Sequence, residues 1–199
     1  MASHKYLKDY RLENVEKNGK LRTIAVYRGQ YYRFLNPGAL RRERVRLLVC
    51  TAVFWLCELA ALTVRTRFGH YAFVILPMAL AMLPFWFASM GVTAALRYGS
   101  GDQLMKRETA EKLESRFAGG SVIAALFTGA SLIGSVFAFF LAGRVFSAGD
   151  AVFVLCAAAQ TAAAVACFQT RGCMRTGTVG NPPGDASTGD DPPDGIPAP

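Results

Sequence analysis

At 199 residues, 52% hydrophobic and only 18% charged, the chain carries less charge than a soluble domain, for which about 25% is usual. Its formal net charge of +8 would suit a nucleic-acid binder, but 12 of the 22 Lys and Arg lie in the first 46 residues, against the first apolar run. Insertion topology and attraction to anionic lipid headgroups account for that placement, so no nucleic-acid partner is expected.

The first 46 residues are polar and basic, with no apolar core of a secretory leader behind the start. The first apolar run, from Leu47, is therefore expected to act as an uncleaved signal anchor. Residues 1–36 read as an N-terminal region carrying a small β-hairpin over 21–34, with Arg28-Gly29-Gln30 as its turn. A lone hairpin is marginal in water and needs support from the membrane surface, from a loop of the same chain, or from another protein. Tyr6, Tyr10, Tyr27, Tyr31 and Tyr32 suit either a membrane interface or a partner-binding face.

Residues 37–168 form the membrane domain. A helix needs about 20 mostly apolar residues to cross a bilayer, and four stretches meet that need: Leu47 to Val64, Tyr71 to Leu96, Ser121 to Ala142, and Ala151 to Phe168. The fold class expected is an all-α four-helix transmembrane bundle. Asn36-Pro37 is a start signal, so the first helix should begin before the membrane. Arg41, Arg42, Arg44 and Arg46 would then form a basic collar at anionic headgroups. Pro77 and Pro84 predict kinks in the second span, which suit a gate or an ordinary transmembrane helix alike.

The loop between spans two and three predicts an amphipathic helix. Ser100 and Gln103 have capping-box spacing, Leu104, Met105, Thr109, Leu113 and Phe117 follow a stripe, and Gly119-Gly120 should end it. Arg107 with Glu111, and Glu108 with Lys112, are i,i+4 pairs. Ala130, Gly134, Ala138 and Ala142 in span three, and Ala158, Ala162 and Ala166 in span four, stand at four-residue intervals. Such small-residue stripes predict a tight hairpin of these two spans, or a contact between subunits. The segment 169–199 reads as a disordered tail, Pro-, Gly- and Asp-rich from Gly172.

Basic residues fix the orientation. Counting alternate sides, 19 Lys and Arg fall with the two termini and three on the other side, which places both termini in the cytoplasm. The lack of a leader and the short loops suit a bacterial cell membrane.

Chemistry-bearing residues are sparse. Glu58 is the acid inside a span, seven residues before Arg65, about 10 Å from the outer end at 1.5 Å per residue. An intramembrane carboxylate reads as a functional site or as glue between helices, and Gln160 is a further polar residue at span depth. The five cysteines form no CxxC pair and read as small hydrophobes; no metal or cofactor motif is present. No catalytic signature appears, so an enzyme is not expected. Two functions compete: an accessory or scaffold subunit of a larger membrane assembly, or a small homo-oligomeric transporter or channel using Glu58. The partners implied are the lipid bilayer and either another protein or further copies of the chain.

Overall fold

The computed structural model describes residues 8–17, 20–98, 104–141, 143, 147–179 and 196–197. They hold four long helices, α1 (Pro37–Thr63), α2 (Ala72–Tyr98), α3 (Arg107–Leu141) and α4 (Ala148–Gln169), each long and apolar enough to cross a membrane. The short strands are β1 (Tyr10–Lys17), β2 (Lys20–Tyr27), β3 (Tyr31–Phe34), β4 (Met105–Lys106), β5 (Thr176–Val179) and β6 (Ile196–Pro197). Large apolar side chains such as Leu56, Leu83, Leu126 and Leu155 face outward from all four helices. An apolar exterior of that extent suits lipid tails and not water.

α1 begins at Pro37 and runs without a break past Arg41, Arg42, Arg44 and Arg46 into its apolar part, as the Asn36-Pro37 signal requires. The Asn36 side chain makes no capping hydrogen bond, so proline's preset backbone carries the start.

The most extensive helix contact is between α2 and α3; α4 packs on both α1 and α3. α2 stays helical through Pro77 and Pro84. Pro77 has no N–H for the carbonyl of Phe73, one turn earlier. α3 lies directly over this region: Gly134 faces the Phe73 carbonyl, and Ser131 Oγ donates to the Val74 carbonyl at 2.8 Å. Further along, Gly120 of α3 lies on the Pro84 carbonyl and Ala88, while Gly91 of α2 accepts Phe117. Each helix thus supplies a glycine where the other is bulky. α1 meets α2 mainly through rings: Phe54 stacks on Phe85 at 3.6 Å between centroids, and Trp55 Nε1 donates to Ser89 Oγ at 3.1 Å.

Four sequence expectations change in detail. The hairpin lies one strand earlier: β1 pairs antiparallel with β2, Tyr10 opposite Tyr27 and Lys17 opposite Lys20. Arg28-Gly29-Gln30 instead leads the chain into a second sheet. The loop helix is no separate element, because α3 starts at Arg107 and passes through Gly119 and Gly120 to Leu141. Met105 belongs to β4, and the Ser100–Gln103 spacing lies outside the described residues. Of the predicted stripes, Gly134 and Ala138 are buried while Ala130 and Ala162 are exposed; Gly134 faces α2 rather than α4. Finally, residues 170–179, expected within the disordered tail, form a 3-10 turn and β5.

β3 is the centre of one sheet. It pairs antiparallel with β4, from the α2–α3 connection, and with β5, just beyond α4. Segments before α1, before α3 and after α4 therefore meet at one end of the bundle. β1, β2 and β6 make a second sheet. The two are joined by tyrosines: the Tyr27 ring lies 5.2 Å from those of both Tyr10 and Tyr31, its hydroxyl donates to the Gln30 carbonyl, and it accepts from the Arg107 amide at 3.0 Å. The interface and partner readings of these tyrosines thus gain a third member, packing within the chain. Tyr6 lies outside the described residues.

Candidate functional site

The buried face of α1 is Leu40, Leu47, Phe54, Glu58 and Ala61. Their spacing is one helical stripe, so Glu58 stands where the pattern asks for an apolar side chain. On α4 the matching stripe is Phe153, Cys156, Ala157, Gln160, Ala163, Ala164 and Cys167. The two helices run antiparallel, and their stripes bring Glu58 and Gln160 together. Gln160 Nε2 donates to Glu58 Oε2 at 2.5 Å. Glu58 is 1% exposed and Gln160 0%.

Two atoms of this pair are left over. Glu58 Oε1 and Gln160 Oε1 are buried and have no hydrogen-bond partner among the described residues. A bare buried acceptor is costly, so the pair is either relieved by something further or maintained for a function. Thiols flank it in register. Cys57 neighbours Cys156 across the two helices, and Cys50 neighbours Cys167 nearer the sheet end. At that end Arg46 Nη2 donates to Gln169 Oε1 at 3.1 Å.

No protein-family model, curated protein or solved structure matches this chain. Function must be argued from geometry alone.

Gln160 is the hydrogen-bond partner of Glu58, and other polar side chains near the spans are engaged elsewhere. Ser89 is engaged by Trp55 and donates to the Phe85 carbonyl, and Thr93 donates to the Met90 carbonyl. Among the described residues Glu58 forms no ion pair, so neither Arg65 nor His70 reaches it. No group of three His, Cys, Asp or Glu able to hold a metal occurs among the described residues. The collar residues Arg41, Arg42, Arg44 and Arg46 are all exposed along the first turns of α1. Arg46 also pairs with Glu43 at 3.5 Å, and Arg42 lines an open groove with Glu43, Asn36 and Cys173. The groove carries both signs of charge. On α3 the expected pairs form: Arg107 Nε meets Glu111 at 2.8 Å, and Lys112 meets Glu108.

Sequence reasoning passed over Asp150. It is 0% exposed at the end of the bundle away from the sheets. One oxygen accepts from the Thr66 hydroxyl at 2.6 Å and the Arg67 amide at 2.9 Å; the other accepts from the Ser147 amide and hydroxyl. Ser147 Oγ in turn accepts from the Asp150 amide, a complete capping box. The spacing Ser-x-x-Asp at 147–150 was the legible signal. Accepting from Ser147 on one oxygen and from Thr66 and Arg67 on the other, Asp150 ties the α1–α2 connection to the start of α4.

Proposed function

We propose that the chain is an accessory or scaffold subunit of a larger membrane assembly, set in a bacterial cell membrane with both termini in the cytoplasm. The excess of basic residues on the side of the termini supports that orientation. The observation that carries the scaffold reading is the open edge of β1. Among the described residues β1 pairs only with β2, leaving its other edge unpaired, and Leu12 on it is 67% exposed. An eight-residue strand edge offers a row of backbone donors and acceptors to which a partner strand can add. The sheets are anchored on the helix ends through β3 and the tyrosines, so a partner docked there would be held at a fixed place above the bilayer.

Purification in mild detergent with mass spectrometry tests this. A stoichiometric partner is expected, lost when Leu12→Pro disrupts the edge while the helical signal persists. A clean homo-oligomer without a partner would overturn the scaffold reading.

The unpaired oxygens of Glu58 and Gln160 favour a second reading, a small homo-oligomeric transporter or channel. In reconstituted liposomes, Glu58→Gln should then abolish ion-dependent flux in a folded protein. Retained flux would remove Glu58 from that mechanism.

A further inference from the structure

We infer that Glu58 carries a proton in the folded protein and forms a neutral acid–amide pair with Gln160, a proton-binding site buried between α1 and α4. The reasoning is one of donor and acceptor inventory. An ionised carboxylate only accepts, whereas a glutamine amide has two donor hydrogens and one acceptor oxygen. In the structure the amide has already given a hydrogen to Glu58 Oε2, and two acceptors remain, Glu58 Oε1 and Gln160 Oε1. Neither residue can satisfy the Gln160 oxygen while Glu58 is ionised. One proton on Glu58 Oε1 turns that atom into the missing donor. The second hydrogen bond then closes by rotation about the terminal torsions, which are soft in both side chains. A single proton satisfies both orphans and removes the buried charge.

The surroundings leave few other occupants. No Lys, Arg or His forms an ion pair with Glu58 among the described residues. On the two packed helices the Cys57 and Cys156 thiols lie beside each other, next to the pair in sequence on α1 and one turn away on α4. Thr161, one residue beyond Gln160, is committed to the Ala157 carbonyl and to Thr128 Oγ1. A metal cation would ask for about six oxygen ligands, and two unclaimed oxygens stand here. The site holds its proton whether or not the chain transports anything, so failure of the flux test above would leave it standing.

Infrared spectroscopy of the whole protein in lipid bilayers decides the matter. A protonated carboxyl shows a carbonyl stretch well separated from the carboxylate bands. At neutral pH the wild type should show this band, it should shift when glutamate is supplied with carbon-13, and it should be lost in Glu58→Gln. Glu58→Gln keeps the size and the hydrogen-bonding inventory of the acid. Should it fail to fold, the isotope shift still assigns the band to glutamate. Gln160→Leu should move the band to higher frequency by removing its hydrogen bond. Absence of a glutamate carboxyl band in the wild type would overturn the proton site. Absence of the band together with a sodium-dependent rise in melting temperature would replace it with a cation site.

Discussion

Gly119 and Gly120 are neighbours in α3, and the structure gives their alanine variants opposite signs. In a helix interior Gly→Ala ordinarily stabilises by about 1 kcal/mol, through backbone entropy. At Gly119 an added Cβ meets nothing within 4 Å, so that gain should be realised in full. At Gly120 the added Cβ collides with the Pro84 carbonyl oxygen and stands 3.1 Å from the Ala88 amide nitrogen and 3.2 Å from Ala88 Cβ. None of these atoms can rotate away, so α2 and α3 must separate. Overpacking of this kind costs about 1–3 kcal/mol, and separation also loosens the seats of Phe117 on Gly91 and of Phe73 on Gly134. Net of the entropy gain, Gly120→Ala should destabilise by about 0–2 kcal/mol and fall about 1–3 kcal/mol below Gly119→Ala. Unfolding in mixed micelles by rising SDS fraction, followed by far-UV circular dichroism, measures both. Equal stability of the two variants, or a stabilised Gly120→Ala, would refute the close approach of α2 and α3.

Three further outcomes follow from named contacts. Asp150→Asn places an amide against donors that require an acceptor and removes the charge that strengthens the capping box, so it should cost about 2–3 kcal/mol in the same assay; a loss below 0.5 kcal/mol, on the order of surface noise, would contradict the four hydrogen bonds drawn to it. Glu58→Leu and Gln160→Leu should each destabilise more than half as much as the double variant, because one orphaned partner is worse than none; the double-mutant cycle should give a coupling of about 0.6–1.7 kcal/mol, the range for buried polar pairs between membrane helices, and zero coupling would separate the two residues. Burial raises the Tyr27 hydroxyl above its ordinary value of 10.0, against a smaller lowering by the Arg107 amide, and Tyr10 is raised by burial and by Glu108 and Asp9. Since the folded-state values are the higher, this contribution to stability is intact below about pH 10 and fades as pH climbs through them; tyrosinate absorbance should show a late-titrating fraction that shrinks in Tyr27→Phe, and an unchanged titration curve would count against the cluster.

The helices were legible because a 20-residue apolar run has few other uses, and Asn36-Pro37 marked the start of α1 to the residue. What the sequence hid was pairing at long range. β3 finds its partners at Met105–Lys106 and Thr176–Val179, and no local pattern at Tyr31–Phe34 points to either. Gly29 looked like a hairpin turn, yet its place is set by Tyr27 and Asp9, which leave no room for a Cβ. Gly119-Gly120 looked like a helix stop, because a glycine that admits a neighbouring backbone has the same letter as one that ends a helix. The small-residue stripes went astray by phase. A helix turns 100° per residue, so steps of four drift by about 40° each, and Ala130 and Ala162 rotate out of the packed face that Gly134 and Ala163 occupy. Glu58 and Gln160 were each visible as polar residues at span depth. They also read as one candidate intramembrane polar site, but their direct hydrogen bond depends on the antiparallel register of the first and last helices, and Asp150 was missed because attention to charge inside spans passed over a cap at the edge of one.

The sheet around β3 also sets a schedule for biosynthesis. Its three strands come from near the start of the chain, from the middle and from beyond the last helix. A ribosome that has delivered α1, α2 and α3 has produced a β3 with one edge still bare, and only translation through Val179 can cover it. Chains truncated before that point, or stalled in inserting α4, would display an uncovered strand edge to the proteases and chaperones that survey the membrane surface. The strand that follows α4 thereby works as a completion signal: its arrival reports that every helix before it has been made.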